Sequence, residues 1–237
     1  MRVPLHFTYP HLSLSARDAK CYNNGVRREI LSEDEYYHVY NRGVDHRSII
    51  QDQKDAERFT TCLDAFNTIE PVGSLYALSF ETPKPNRKKL VDIISYCVNP
   101  NHFHFVLFQR AEKGISKLIQ RLTGGYSWYF NNKYKRTGAL FEGRFKAKNI
   151  SENNYLLHVS AYVNLNDRVH KLSVPSAKLV RSSWREYTEN INGICNKKII
   201  LDQFESKKDY GEFALSNLPD MLTIRKDYAE LKNRLLE

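Results

Sequence analysis

The sequence predicts an α+β fold in which strands and helices alternate along the chain. Five short runs rich in β-branched and aromatic residues, bounded by Gly, Pro or Asn, are typical of strands. Between and after them lie longer segments with apolar residues three and four positions apart, as in amphipathic helices. With 237 residues, of which 41% are hydrophobic, the chain can bury a core of its own.

The predicted elements follow an N-terminal stretch, residues 1–30, which lacks periodicity and is interpreted as an extended arm. Strands are predicted at Tyr36–Val44, Leu75–Phe80, Val91–Val98, Phe103–Gln109 and Arg144–Ile150, and helices at Asp52–Ile69, Ile115–Asn132, Glu152–Leu165 and Pro219–Glu237. The segment Glu81–Lys89, with two prolines and four basic residues, is predicted to be an exposed connection. Gly124 and Gly125 predict a kink or a close backbone approach in the second helix. The last strand alternates like an edge strand with lysines pointing outward.

Two histidines, His102 and His104, lie two residues apart within an apolar strand. Residues two apart on a strand project from the same face, so both imidazoles should point together while Phe103 and Phe105 enter the core. Two parallel imidazoles on a rigid strand form half of a metal site. From the spacing alone, two polar residues on a half-exposed sheet face are an equally good interpretation. His38 also falls on a predicted strand, and as a lone strand histidine it is assigned a structural role.

The net charge of +9 is concentrated in one segment. Between Lys113 and Lys148 there are nine basic residues and one acidic residue, Glu142, with aromatic residues interspersed. This mixture favours binding to a phosphate backbone with unstacked bases, whereas the alternative is a solvated basic face over an aromatic core. The residues predicted to contact nucleic acid are Arg42, Arg121, Lys133, Lys135, Arg136, Arg144, Lys146 and Lys148.

The composition argues against several classes of protein. No apolar run approaches the roughly 18 residues of a transmembrane helix, and the first residues lack the apolar core of a signal peptide. The four cysteines are scattered and form no C-x-x-C pair, so neither a zinc knuckle nor a disulfide framework is indicated. A cytoplasmic protein without a membrane partner is therefore expected.

Four blocks of sequence together resemble the single-tyrosine HUH transposases, and most closely the REP-associated tyrosine transposase branch. The blocks are YHVYNRGVDHRSII (Tyr37–Ile50), VNPNHFHFVLF (Val98–Phe108), YSWYFNNKYKRTGALFEGRFKA (Tyr126–Ala147) and YLLHVSAYVNLN (Tyr155–Asn166). They stand in the order of the family, within about residues 36–190, and four ordered blocks are far more specific than one H-x-H pair. The N-terminal arm and the chain beyond about Tyr187 are not covered by the resemblance.

The resemblance implies roles for four residues. In the family the H-hydrophobe-H pair binds a divalent cation, which implies that His102 and His104 are metal ligands. The nucleophilic tyrosine lies on a later helix and corresponds to Tyr162, and the polar residue four positions later, Asn166, completes the metal site. Asp167 stands where the family usually has proline, so the motif does not define where the helix ends. The implied cofactor is Mg²⁺ or Mn²⁺, since the ligand set suits either ion.

The resemblance also implies the fold and the reaction. The expected fold is a ferredoxin-like antiparallel sheet with helices packed on one face, within a catalytic domain spanning residues 31–175. The arm at residues 1–30 precedes this domain and a helical C-terminal extension, residues 176–237, follows it. The implied reaction is metal-dependent cleavage and rejoining of single-stranded DNA near hairpins, through a 5′-phosphotyrosine intermediate. The expected partner is single-stranded or hairpin DNA, and the family is compatible with a homodimer.

Two other functions remain open at the level of the sequence. One is a domesticated protein that binds hairpin DNA or RNA without cleaving it. The other is a metal-dependent phosphodiesterase that hydrolyses without a covalent intermediate. An intact set of His102, His104, Tyr162 and Asn166 argues against a pure binder, which has no use for these residues. The sequence also leaves open whether Tyr162 serves the metal site of its own chain or that of a neighbour.

Overall fold

The computed structural model describes residues 30–70, 72 and 87–234, and in the last helix it describes side chains up to residue 227. Almost all of the predicted N-terminal arm, the predicted strand Leu75–Phe80 and most of the predicted connection Glu81–Lys89 lie outside the described residues. The division of the chain into an arm, a catalytic domain and an extension stays a prediction.

An antiparallel sheet lies at the centre of the described part of the chain. Its five strands are β1 (Tyr36–Arg42), β2 (Val91–Val98), β3 (His102–Gln109), β4 (Lys146–Ile150) and β5 (Arg181–Ser182). Their spatial order is β4-β1-β3-β2-β5, and all neighbouring strands are antiparallel. Strands β1 to β4, with a helix after β1 and another after β3, follow the β-α-β-β-α-β pattern. The predicted ferredoxin-like α+β fold is confirmed.

The helices differ widely in length. The longer ones are α1 (Gln53–Ala65), α2 (Gly114–Lys133), α3 (Asn153–Asn164), α8 (Lys207–Ser216) and α9 (Leu218–Arg234). The shorter ones are α4 (Asn166–Val169), α5 (Val174–Ala177), α6 (Trp184–Thr188) and α7 (Lys198–Leu201), with a 3₁₀ turn at Val44–His46. Helix α2 runs without interruption through Gly124 and Gly125, so the predicted kink is absent. A Cβ added at Gly124 would meet nothing within 4 Å, so no backbone approaches closely at Gly124.

The two faces of the sheet carry different helices. On one face, Phe59 of α1 packs against Phe103 of β3 and Tyr126 of α2, with ring centroids 5.7 and 4.8 Å apart. On the opposite face, Tyr162 of α3 lies against His104, with ring centroids 5.7 Å apart. Adjacent residues of β3 point to opposite faces, so helices pack on both faces rather than on one as predicted.

The edge strand β4 was predicted from its alternating pattern, and the structure places it at one edge of the sheet. Lys146 and Lys148 are exposed, whereas Ala147 and Asn149 are half-buried. Exposed lysines on an edge strand discourage pairing with another chain. The other edge is the two-residue strand β5, which comes from the C-terminal extension.

The C-terminal extension packs against α3 and fixes its position. The buried Tyr210 of α8 accepts a hydrogen bond from Nδ2 of Asn164, at 2.7 Å, and its hydroxyl lies 3.3 Å from Oγ of Ser160. Ser183 donates to Oδ1 of Asn164 at 2.5 Å. These contacts flank Tyr162 on the same helix. Within the described chain, no helix is both long and apolar enough to cross a membrane.

Candidate active site

The paired histidines occupy the middle of the sheet, where strand pairing holds their backbone on both sides. His104 is opposite Tyr40 of β1 and Cys97 of β2. As the strand parity predicts, both imidazoles reach the face that α3 covers, and their ring centroids are 5.3 Å apart. Both side chains are half-buried, so the rings contact protein while the site stays open to solvent.

His104 lies within a cluster of rings. Its Nδ1 is 2.9 Å from Nε2 of His38, and these two rings stack with centroids 5.1 Å apart. Tyr40 stacks on His104 at 5.5 Å, and Tyr162 meets it edge-on. Burial lowers the pKa of His104 well below its ordinary value and lowers that of His38 to about 4, where the charge of Lys148 adds to the effect. Both rings are therefore neutral at pH 7, and each keeps one nitrogen lone pair.

Three asparagine side chains contact His102. Its Nδ1 is 2.6 Å from Oδ1 of Asn101, and because that oxygen can only accept, Nδ1 carries the proton and Nε2 the lone pair. Nε2 lies 2.9 Å from Nδ2 of Asn99 and 3.1 Å from Oδ1 of Asn166. Nδ2 of Asn99 donates to Oδ1 of Asn166 at 2.7 Å. Burial lowers the pKa of His102 to about 4, so the lone pair persists at neutral pH.

The donor atoms of this cluster fit a divalent cation. Two lone-pair atoms, Nε2 of His102 and Oδ1 of Asn166, converge on the positively polarised NH₂ group of Asn99. His104 presents a second imidazole from the same face. Two imidazoles suit Mn²⁺, and the amide oxygen suits Mg²⁺ as well. No group of three or more His, Cys, Asp or Glu residues in the described ranges could hold a metal ion, so a cation at these imidazoles would take its third protein ligand from another residue type, such as the amide oxygen of Asn166.

Tyr162 approaches this cluster from α3 of its own chain. Its ring centroid is 5.7 Å from that of His104 and 6.0 Å from that of His38, edge-on to both rings. Burial raises the pKa of Tyr162, although a hydrogen bond with Asn166 and the charge of Arg225 act in the opposite direction. The hydroxyl is therefore protonated at neutral pH.

The helix around Tyr162 ends earlier than predicted. Helix α3 ends at Asn164, Leu165 leaves the helical conformation, and Asn166 begins the short helix α4. Its N-cap is Glu152, without a side-chain capping bond, so the helix also begins one residue later than predicted. Asn166 still reaches His102, because the break occupies a single residue. The structure thus brings together His102, His104, Tyr162 and Asn166.

The segment that contains this site matches a known protein family. Residues 83–166 match the family model described as IS200-like transposase. This segment resembles the IS200-like transposases. It begins before β2 and ends at Asn166, so it contains both histidines of the pair and Tyr162. The resemblance at the level of the family is thereby confirmed, and members of the family are transposases, which are DNA-processing enzymes.

A solved structure of a REP-associated tyrosine transposase bound to a REP hairpin is similar to this chain, with 14% sequence identity and a TM-score of 0.45. The similarity covers 71% of this chain and 88% of the other. No match was found among curated proteins.

Three of the predicted DNA-binding residues interact within the fold. Lys133 forms ion pairs with Asp52 and Asp55, at 2.7 and 2.6 Å. Arg42 forms an ion pair with Glu142. Arg121 donates to the backbone oxygens of Phe66 and Thr68, beyond the end of α1, at 3.4 and 2.6 Å. Their charges are used to hold elements together.

The other predicted DNA-binding residues lie at the surface. Lys135, Arg144, Lys146 and Lys148 are exposed, and Arg136 is half-buried over the ring of Phe130. Strand register places Lys148 opposite His38 and Lys146 opposite Tyr40. Directly opposed residues project from the same face, so these two lysines border the face that carries the imidazoles.

Sequence reasoning missed four residues of the site. His38 was assigned a structural role, and Asn99 was assigned no role. The ring of His170 lies 4.3 Å from that of His102. Arg225 of α9 donates to the backbone oxygen of Val169 at 3.0 Å, and its charge lowers the pKa of both Tyr162 and His102. The spacing of Asn99, three residues before His102, was the one local signal that could have found any of them.

Proposed function

We propose that this transposase cleaves and rejoins single-stranded DNA near hairpins, with Tyr162 as the nucleophile and Mg²⁺ or Mn²⁺ as the cofactor. The observation that carries the proposal is the approach of Tyr162 and Asn166 to the paired imidazoles, inside the segment that matches the family model. The hairpin as the substrate follows from the resemblance in sequence.

His102, His104 and Asn166 would hold the cation. When bound, the cation supplies Lewis-acid polarisation of the scissile phosphate and stabilises its developing charge. A tyrosine hydroxyl with a raised pKa is a weak nucleophile, so the reaction depends on its placement beside the phosphate. The Tyr162 oxygen forms a bond to phosphorus as the bond to the 3′ oxygen breaks. The hydroxyl loses one proton and the 3′ oxygen gains one, which leaves a 5′-phosphotyrosine link and a 3′-OH.

Positive charges at the surface would guide the DNA strand to this face. Lys146 and Lys148 border the imidazoles along the edge strand, and Arg225 approaches from the C-terminal helix. Lysine and arginine at such positions bind phosphates through charge, with little dependence on base sequence. We therefore propose that the strand passes over the β4 edge of the sheet, and Lys133, Arg121 and Arg42 are no longer included among its contacts.

A denaturing gel tests the proposal directly. The protein is incubated with single-stranded hairpin DNA and Mn²⁺, and a covalent adduct is expected. The Tyr162→Phe variant keeps the packed ring and removes the hydroxyl, so it should bind DNA and Mn²⁺ but form no adduct. Tyr155→Phe is the matched control, because Tyr155 lies on the same helix two turns earlier.

Each outcome of the gel has a defined meaning. An adduct that persists in Tyr162→Phe and disappears in Tyr155→Phe would assign the nucleophile to Tyr155. DNA binding without an adduct in the wild type, with every metal and hairpin tried, would favour the non-cleaving binder. Strand cleavage with no adduct would favour the phosphodiesterase.

A further inference from the structure

His38 contacts a proposed metal ligand although it lies 66 residues away in sequence. It lies on β1, 7% exposed, with its Nε2 at 2.9 Å from Nδ1 of His104. The rings are inclined by 22° with their centroids 5.1 Å apart, and their facing nitrogens lie within hydrogen-bond distance. Such a bond needs one proton between the two nitrogens, and its position defines the tautomer of each ring.

The tautomer of His104 decides whether it can bind a cation. If Nδ1 carries the proton, that nitrogen donates to His38 and the Nε2 lone pair is available to a metal. If Nε2 of His38 carries the proton instead, Nδ1 of His104 is the acceptor, and its Nε2 is protonated and unable to coordinate. A neutral His38 has one acceptor nitrogen, and its Nε2 is the atom that faces Nδ1 of His104.

We propose that His38 is a positioning residue that accepts the Nδ1 proton of His104 and so holds the His104 Nε2 lone pair ready for the cation. The inference deepens the proposed function and rests on it for the role of His104. Ligand histidines commonly donate their second nitrogen to a neighbour that sets the tautomer and the ring orientation. Asn101 makes the equivalent contact with His102, so both proposed ligands have a partner on their Nδ1.

Nitrogen NMR of the imidazoles tests the tautomer in the full-length, metal-free protein. In the wild type, the ¹H–¹⁵N correlation pattern of His104 should show a proton on Nδ1. The His38→Phe variant keeps a stacking ring without an acceptor, so His104 should shift toward the Nε2-protonated form. Gln at position 38 can accept through its amide oxygen, so His38→Gln should restore the wild-type pattern.

Mn²⁺ titration provides a second readout, independent of DNA cleavage. We expect His38→Phe to weaken Mn²⁺ binding by roughly 10- to 100-fold, as for other partners of ligand histidines, and His38→Gln to recover most of the affinity. The control is His46→Asn, which removes an exposed histidine from a left-handed position that asparagine tolerates. It should leave the Mn²⁺ affinity unchanged.

The outcomes separate this inference from the proposed function. A proton on Nε2 of His104 in the wild type would overturn it, even if His38→Phe does not fold. An unchanged tautomer and Mn²⁺ affinity in His38→Phe would reduce His38 to a packing residue. If the wild type binds no Mn²⁺, the proposed function loses its metal, whereas the tautomer measurement in metal-free protein still decides what His38 does.

Discussion

At the scale of single residues, the candidate site is a set of neutral polar atoms whose protons are assigned by their neighbours. Asn101 sets the tautomer of His102, and Asn99 donates to both His102 and Asn166. Asn166 is fully buried, so its carboxamide cannot exchange its partners for water. Its orientation is thereby restricted, with Oδ1 toward His102.

We expect Asn166→Ala to weaken Mn²⁺ binding by at least about tenfold, because a direct ligand should matter no less than the residues that orient ligands. Asn166→Asp keeps an oxygen at this position and adds a negative charge, so it should bind Mn²⁺ at least as tightly as the wild type. Calorimetric Mn²⁺ titration of the three proteins compares them, with circular dichroism as the control for folding. Equal affinity of wild type and Asn166→Ala would remove Asn166 from the metal site.

At the scale of elements, two interactions connect helices that are distant from each other in sequence. Lys133 at the end of α2 joins the beginning of α1, where Asp52 is the N-cap and Asp55 is fully buried. Arg225 joins α9 to the end of α4, next to the site. The first interaction serves stability, and the second places a charge near Tyr162.

Lys133→Met should cost stability rather than DNA affinity. Removing the ammonium leaves the buried Asp55 carboxylate without its cation. Breaking a buried ion pair typically costs about 3 to 5 kcal/mol of unfolding free energy. Because Lys133 is partly exposed, we expect a cost of about 3 kcal/mol. Urea unfolding measures the loss, and the exposed Lys135→Met is the control, expected to change stability by less than about 0.5 kcal/mol. Weaker DNA binding at unchanged stability would instead indicate that Lys133 contacts DNA.

The same ion pair predicts a dependence of stability on pH. The hydrogen bond from Lys133 lowers the pKa of Asp52 below its ordinary value in the folded protein. The contribution of Asp52 is therefore fully present above its unfolded pKa of about 4 and is lost as the pH falls through the lower, folded pKa. Urea unfolding between about pH 5 and 2 should show a steeper loss of stability for the wild type than for Lys133→Met. Parallel curves would contradict this assignment.

Arg225→Gln should slow single-turnover DNA cleavage with little effect on Mn²⁺ affinity. Burial raises the pKa of Tyr162 and the charge of the Arg225 guanidinium partly offsets this rise, so its loss makes the hydroxyl harder to ionise and removes a positive charge close to the site. Lys226→Gln, one residue further along α9, removes the same charge and should slow cleavage less. Equal rates for Arg225→Gln and the wild type would mean that Arg225 has no role in cleavage beyond its contact with Val169.

At the scale of the whole molecule, the net charge of +9 is divided between structural and surface roles. The segment from Lys113 to Lys148 contains an internal cation, Lys133, as well as the exposed lysines of β4. Only charges that meet phosphate release counterions on binding, so the salt dependence of affinity distinguishes the two roles.

Lys146→Gln and Lys148→Gln together should reduce the slope of log affinity against log salt by about 1.4, since each contact with single-stranded DNA contributes about 0.7. The matched control is Lys198→Gln with Lys208→Gln, which removes the same charge from exposed positions in α7 and α8. Affinities for a hairpin DNA at several salt concentrations give the slopes. Equal reductions in both double variants would mean that the β4 edge contributes only net charge.

The sequence by itself determined the features that depend on local spacing. Two-residue periodicity placed His102 and His104 on one face, and apolar spacing located α1, α2 and α3 to within a few residues. Four ordered blocks indicated the transposase family, and with it Tyr162 and Asn166. Strand faces and helix positions can be predicted without coordinates, because the direction of the side chains repeats every two residues in a strand and every 3.6 residues in a helix.

Tertiary structure alone decided which distant groups meet. The pairing of β1 with β3 turned His38 from a lone histidine into a neighbour of His104, and the packing of α1 against α2 brought Lys133 into ion pairs with Asp52 and Asp55. The C-terminal extension, an appendage in the sequence, contributes Tyr210 beneath α3 and Arg225 beside the site. These contacts join residues whose separation along the chain has no period, so their partners are selected only when the sheet and its two helix layers pack together.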